Sequence, residues 1–252
     1  MKKICYLIVL LPFCLSAQSN ESDTLKWKAS LGLTGFYQQG NVETAIFRAK
    51  AEMGYRPWNK WLFKTQNSYV YQEFGNQKAD EDILSLNFLY FNPERRIYPQ
   101  LLGFASTNFR RRIDLRYLLG AGVTFKILDQ EKYRLKVSLS SEYEQTDFRT
   151  AIFNREAYNG NSSIHTFRGT IWVNGRYQLF DKKVVLSHES YFQPSLEQGD
   201  NYRWRADLGL ELPVWKFLNF KINYLHSFES IVVESQGEED RILTFGLTVK
   251  SY

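Results

Sequence analysis

The chain has 252 residues with 32 basic and 27 acidic side chains, a net charge of +5, and 16% aromatic residues in a sequence whose mean hydropathy is −0.40. So small a positive excess argues against a nucleic-acid partner, and the lack of any apolar run of about 18 residues after the first 17 positions excludes helical membrane spans. Abundant Tyr, Phe and Trp in a chain that is polar overall suits a barrel with a lipid-facing outside and a wet interior better than a soluble core.

The first element is a leader. Met1-Lys2-Lys3 precedes the apolar run Ile4 to Leu15 and the small pair Ser16-Ala17, the layout of a secretory signal peptide. Residues 1–17 are therefore expected to be removed, leaving 18–252 as the barrel. A lipoprotein signal is the alternative, because Cys14 lies near the end of the apolar run, but Leu11-Pro12-Phe13 lacks the small residues such a signal needs beside the cysteine. Both cysteines, Cys5 and Cys14, fall inside the leader, so the mature chain is expected to lack disulfides, thiol chemistry and cysteine metal sites. Loss of Lys2 and Lys3 leaves 30 basic residues against 27 acidic ones.

From Leu25 onward the dominant period is two, the signature of strands. The first segment puts Trp27, Ala29, Leu31, Leu33 and Tyr37 on one face, and the second does the same with Ala45, Phe47, Ala49, Ala51, Met53 and Tyr55. The same alternation continues in Trp61-Phe63-Tyr69-Tyr71, Leu84-Leu86-Phe88-Tyr90, Leu115 to Phe125, Tyr133 to Tyr143, Phe167 to Leu179, Tyr202 to Leu212, Leu218 to Phe228 and Leu243 to Val249. Two weaker segments, Tyr98 to Phe109 and Val184 to Gln193, bring the expected total to about twelve, an even number as a bacterial barrel requires. The fold class is thus all-β, a closed antiparallel transmembrane β-barrel. A soluble β-sandwich is the alternative, but its strands average about 5 to 6 residues, shorter than these segments.

Connections alternate in length. Those at 57–60, 92–96, 129–132, 181–182 and 213–216 are short, whereas Gly75 to Asp82, Thr146 to Ser163, Leu196 to Asp200 and Ile231 to Glu239 are longer and polar; Gln39-Gly40-Asn41 is the exception. Short periplasmic turns and long outer loops place both termini in the periplasm of an outer-membrane protein. Trp27, Tyr55, Trp58, Trp61, Trp215 and Phe217 would then form the periplasmic aromatic girdle.

With the apolar rows toward lipid, the charged rows face the lumen. The candidates are Arg48, Lys50, Lys64, Arg116, Arg134, Lys136, Arg168, Arg176, Arg203 and Arg205, with Glu52, Glu142, Glu189, Asp207 and Glu211. Arg56, Lys126, Lys221, Glu73, Glu144 and Glu229 fall on the same rows. Two readings follow. Rings of Arg and Lys favour anions in an open channel, whereas charges pairing across strands fill the interior of a small barrel; the second is the more ordinary outcome.

Catalysis is not expected. His188 and His226 fall on the lipid face, and Ser190 lies about 7 Å along the strand from His188, beyond hydrogen-bond reach. The neighbouring strand is expected to offer Tyr202 and Trp204 instead of a serine. His165 opens a strand as polar surface, and no His or carboxylate set has ligand spacing for a metal. Gly120 and Gly122 are expected to relieve crowding, since no helix follows them that would make a phosphate cradle. No cofactor is expected; the expected partners are outer-membrane lipid, the barrel-assembly machinery and, if the lumen is open, small anionic solutes.

Gly40-Asn41-Val42-Glu43-Thr44, the Arg116 to Val123 segment followed by Leu128-Asp129, Leu186-Ser187-His188-Glu189-Ser190, Asn201-Tyr202-Arg203-Trp204 and the ending Asp240 to Tyr252 together resemble the DUF481 family, which includes salt-induced outer-membrane proteins of the YdiY type. The resemblance covers nearly all of the mature chain. It implies an outer-membrane barrel of unassigned biochemical role, with a link to envelope stress and no catalytic residues to carry over. One departure is the terminus, where Leu243, Phe245, Leu247 and Val249 lead to Ser251 and leave Tyr252 out of phase.

Overall fold

The computed structural model describes residues 26–38, 43–215 and 218–249. The alternating segments form twelve strands: β1 (Trp27–Gln38), β2 (Thr44–Trp58), β3 (Trp61–Phe74), β4 (Gln77–Phe91), β5 (Ile97–Asn108), β6 (Ile113–Asp129), β7 (Tyr133–Phe148), β8 (Ser163–Leu179), β9 (Val184–Pro194), β10 (Tyr202–Trp215), β11 (Leu218–Glu229) and β12 (Glu239–Val249). Each pairs antiparallel with the next, giving one sheet in sequence order. All strands reach or exceed the roughly 9 to 11 residues that a tilted crossing needs.

The sheet is rolled rather than flat. Arg116 on β6 bonds Glu229 on β11 at 2.9 Å, and the Phe88 ring on β4 meets Trp172 on β8 at 5.9 Å. Strands four or five positions apart touch in this way only if their common face is concave, as twist and coiling make it. Among the described residues, no strand pair joins β1 to β12.

The outside carries the apolar rows. Phe47, Leu119, Leu139, Phe167, Ile171, Phe192 and Leu208 are exposed there, and Trp27, Trp58 and Trp215 stand at the end with the short turns. An apolar surface of this extent bounded by tryptophans is that of a membrane barrel. Phe217, Gln39 to Asn41, the leader and the terminal Ser251 and Tyr252 lie outside the described residues.

Two sequence expectations change. The long connection expected at Gly75 to Asp82 is strand instead, because Gly75 and Asn76 suffice for the turn with φ of +56° and +59°. Two consecutive left-handed residues make a primed hairpin turn whose twist matches the strands, so pairing continues up to Gln77. The second concerns facing. The alternation puts Leu84, Leu86, Phe88 and Tyr90 toward lipid, yet they point inward on β4, where Phe88 and Tyr90 join Leu62, Tyr98 and Leu102 in a buried cluster. The opposite row holds exposed Ile83 with Ser85, Asn87, Leu89 and Phe91. The outward row mixes apolar residues with Ser85 and Asn87, so the rule that the more apolar row faces lipid gives the wrong face for β4. Asp80, 2% exposed, shares parity with the leucines and sits inside with its carboxylate bonded to Arg110.

The end opposite the short turns is covered. The β7–β8 loop carries a short 3-10 turn (Glu156–Tyr158), and Phe153 bridges to Val233 in the β11–β12 loop. Ile113, Phe148, Phe153, Tyr158, Ile231 and Val233 form a second buried cluster there. Asn154 ties the loops further, donating to the Ser230 carbonyl at 3.0 Å and accepting from the Val232 amide at 3.1 Å.

Candidate functional site

The interior charges converge on β7. Glu144 has its side chain only 4% exposed and accepts from Arg168 on β8 at 2.9 and 3.1 Å and from Arg203 on β10 at 2.5 Å. Arg116 on β6 lies 3.9 Å away through its Nε, and its two terminal nitrogens bond both oxygens of Glu229 at 2.9 Å. This two-pronged geometry is the strongest form of guanidinium–carboxylate pairing. Arg111, from the β5–β6 turn, adds a bond to Asp240 at 2.5 Å. The chain of charges thus runs from the β6–β8 wall to the β10–β11 wall.

Neutral groups complete this lattice. Gln193 accepts from Arg203 Nε at 2.6 Å, and its amide donates to Thr170 at 2.8 Å. Thr170 in turn donates to Glu142 at 2.7 Å, and Ser140 donates to the same carboxyl group. Glu142 is wholly buried. Its room comes from Gly120, where an added Cβ would stand 2.4 Å from the Ser141 carbonyl oxygen and 2.5 Å from Glu142 Cγ. The crowding expected at Gly120 and Gly122 is thus a close approach of β6 to β7.

The other candidates spread along the interior. Lys64, Lys136 and Glu189 line a small cavity of about 70 Å³ nearer the short-turn end. Arg134 and Arg176 are directly opposed on β7 and β8, and Arg176 reaches Glu211 on β10 at 3.7 Å. Arg205 bonds Asp207 weakly at 3.5 Å on its own strand. Glu52 is half-buried, and Arg48 and Lys50 stand in register opposite Val70 and Ser68, with side chains outside the described set. Lys221 has the same standing, paired with Glu211. Glu73 departs from the expectation: two residues beyond Tyr71 on β3, it shares the parity of Tyr69 and Tyr71 and accepts from the Tyr71 hydroxyl at 2.6 Å, beside the outward tyrosine row.

Among the described residues, the histidines find ring and charged partners on neighbouring strands. His188 stacks on Tyr177 and meets its hydroxyl at 3.1 Å; its cross-strand partners are Gly175 and Leu208, not Tyr202 or Trp204. The register between β9 and β10 is offset from the one assumed from sequence, which moves Trp204 to Phe192. Trp204 instead packs edge-on against His226 at 4.5 Å, and Arg241 and Glu239 approach that imidazole from β12.

A family model described as a protein of unknown function, DUF481, matches residues 29–250. The chain belongs to the DUF481 family. No curated protein matches it. Among solved structures, the NanC porin in a rhombohedral crystal form aligns with a TM-score of 0.52 at 11% identity, over 88% of this chain and 100% of that one. Two further alignments are weaker. A bacterial polysaccharide outer membrane secretin gives 0.46 at 11% identity over 90% and 81% of the two chains. The translocator domain of the autotransporter NalP from Neisseria meningitidis gives 0.42 at 12% over 89% and 87%. The NanC likeness agrees with the rolled sheet, and this DUF481 chain has the fold of an outer-membrane β-barrel.

Proposed function

We propose that this protein is a non-enzymatic barrel of the bacterial outer membrane with a structural or permeability role, whose outer half is barred by its own charges. The observation that carries the reading is Glu144, which draws arginines from β6, β8 and β10 to one point, while Arg116 extends the lattice to Glu229 on β11. An open anion channel needs cations facing water, whereas Arg116, Arg168 and Arg203 have side chains no more than 10% exposed and carboxylate partners. The loop contact between Phe153 and Val233 lies over the same end.

Both termini are assigned to the periplasm, since an even number of strands returns the chain to the side of the short turns and the tryptophans. Outer-membrane lipid and the barrel-assembly machinery are the partners this requires. The link to envelope stress rests on the family resemblance. A small anion-favouring channel is the competing reading, supported by the porin among the structural neighbours and by the half-exposed Arg205.

Planar-bilayer recording separates the two. The intact protein is expected to give no steady ion-selective steps; stable anion-selective conductance overturns the barred-lumen reading. An epitope inserted at Gly160 should be reached by antibody on intact cells, and labelling only after permeabilisation would reverse the assigned orientation.

A further inference from the structure

Below the arginine lattice the interior is amphipathic rather than polar. Leu84, Leu86, Leu102 and Leu118 form one wall of a cavity of about 310 Å³, Trp172 reaches it from β8, and Arg203 and Arg205 of β10 stand on another wall together with Glu189 and Asp207. Lumens of such barrels are ordinarily polar. Apolar side chains facing a wet chamber forgo the stabilisation of burial, which an occupant with an apolar body would recover. The volume lies at the lower end of the range of about 300 to 1,000 Å³ typical of small-molecule sites.

Two arginines make the opposite wall suited to an anion. Arg203 has its side chain 6% exposed, and its Nη1 is buried without a hydrogen-bond partner although the other nitrogens are bonded. An unsatisfied buried donor of this kind is an uncompensated loss of solvation. Arg205 is 39% exposed, and the bond shown for its guanidinium is the 3.5 Å contact to Asp207. Glu189 and Asp207 border the same space and disfavour a second negative charge on the occupant.

We propose that this cavity binds an organic monocarboxylate with an apolar body, its carboxylate toward Arg205 and Arg203 and its body against Leu86, Leu102 and Trp172. The inference goes beyond the permeability reading and does not depend on it, since a barrel with a barred outer half can still take such a ligand from the short-turn side.

The test is calorimetric titration of the purified full-length barrel in a nonionic detergent with octanoate, octanol, acetate and octylammonium, alongside tryptophan emission. Octanoate is expected to bind saturably at one site, with the other three about tenfold weaker or more. Arg205→Gln should weaken octanoate by about tenfold. Trp172→Phe should remove the emission change while leaving the calorimetric signal. Equal binding of octanol, preference for octylammonium, or an unchanged affinity in Arg205→Gln would each overturn the proposal. Leu86→Gln supplies a second arm on the apolar wall, expected to lose octanoate; if it fails to show heat-modifiable migration, Arg205→Gln decides alone.

Discussion

Replacing Glu144 by glutamine tests whether the arginine lattice holds the barrel together. The substitution preserves shape and one acceptor oxygen but removes the charge that faces Arg168 at 2.9 Å, Arg203 at 2.5 Å and Arg116 at 3.9 Å. Arg116 keeps Glu229, whereas Arg168 and Arg203 retain only neutral acceptors, the Gln193 and Asn201 oxygens. Glu144, Arg168 and Arg203 are 4%, 5% and 6% exposed in their side chains, so water does not replace the lost carboxylate. Breaking a buried ion pair by removing one partner costs about 3 to 5 kcal/mol, and the conserved shape of glutamine argues for about 3. With a urea slope of about 2 kcal/mol per M, the unfolding midpoint should fall by about 1.5 M. The assay is reversible urea unfolding in lipid vesicles, followed by tryptophan fluorescence and heat-modifiable migration. Glu131→Gln is the control, because its partner Lys182 is 58% exposed and Glu131 itself 80%, and such pairs contribute little. A midpoint for Glu144→Gln no lower than that of Glu131→Gln would refute the stabilising role of the lattice.

Phe153→Ala should loosen the loop cap over the end opposite the short turns without unfolding the strands. The ring is 4% exposed and packs edge-on against Phe148 at 5.0 Å, and losing about 3 kcal/mol of local packing raises the open population about a hundredfold. Trypsin cleavage after Arg149 and Arg155 should accelerate accordingly, and an unchanged rate would count against the cap. Gly120→Ala should abolish heat-modifiable folding because its Cβ would stand 2.4 Å from a backbone oxygen, whereas Gly54→Ala should be tolerated, its nearest neighbour being Leu62 Cδ1 at 3.9 Å. If both variants fold alike, the close approach of β6 and β7 is not limiting. Burial, then the neighbouring Asp200, pushes the Tyr158 phenol up to about 12. The folded cap thus holds this proton more tightly than the unfolded chain, whose phenol ionises near 10, so cap stability is full below about pH 10 and falls as pH rises toward 12. Difference absorbance against Tyr158→Phe should show ionisation only near the upper value, and a normal phenol midpoint would contradict it.

Much of the architecture was legible because side chains on a strand alternate with period two and antiparallel neighbours need only short turns. Even the weak segments became β5 (Ile97–Asn108) and β9 (Val184–Pro194). Parity alone also places Arg116, Arg168, Arg203 and Glu142 on interior rows. It gives the wrong face for β4, where the more apolar row Leu84, Leu86, Phe88 and Tyr90 points inward and Ser85 and Asn87 share the outward row with Ile83, Leu89 and Phe91. Asp80 and Asp82, on the same parity as the leucines, are the signal that this row turns inward.

Sequence by itself determined the strands, their order and, for most of them, which residues share a face, since these depend on local backbone geometry. Only the tertiary structure decided that Glu144 gathers Arg116, Arg168 and Arg203, that Arg116 reaches across to Glu229, and that an apolar wall from β4 to β6 confronts Arg205. Those contacts depend on how tightly the sheet rolls and how far its strands are staggered, quantities set by the whole set of pairings rather than by any one segment.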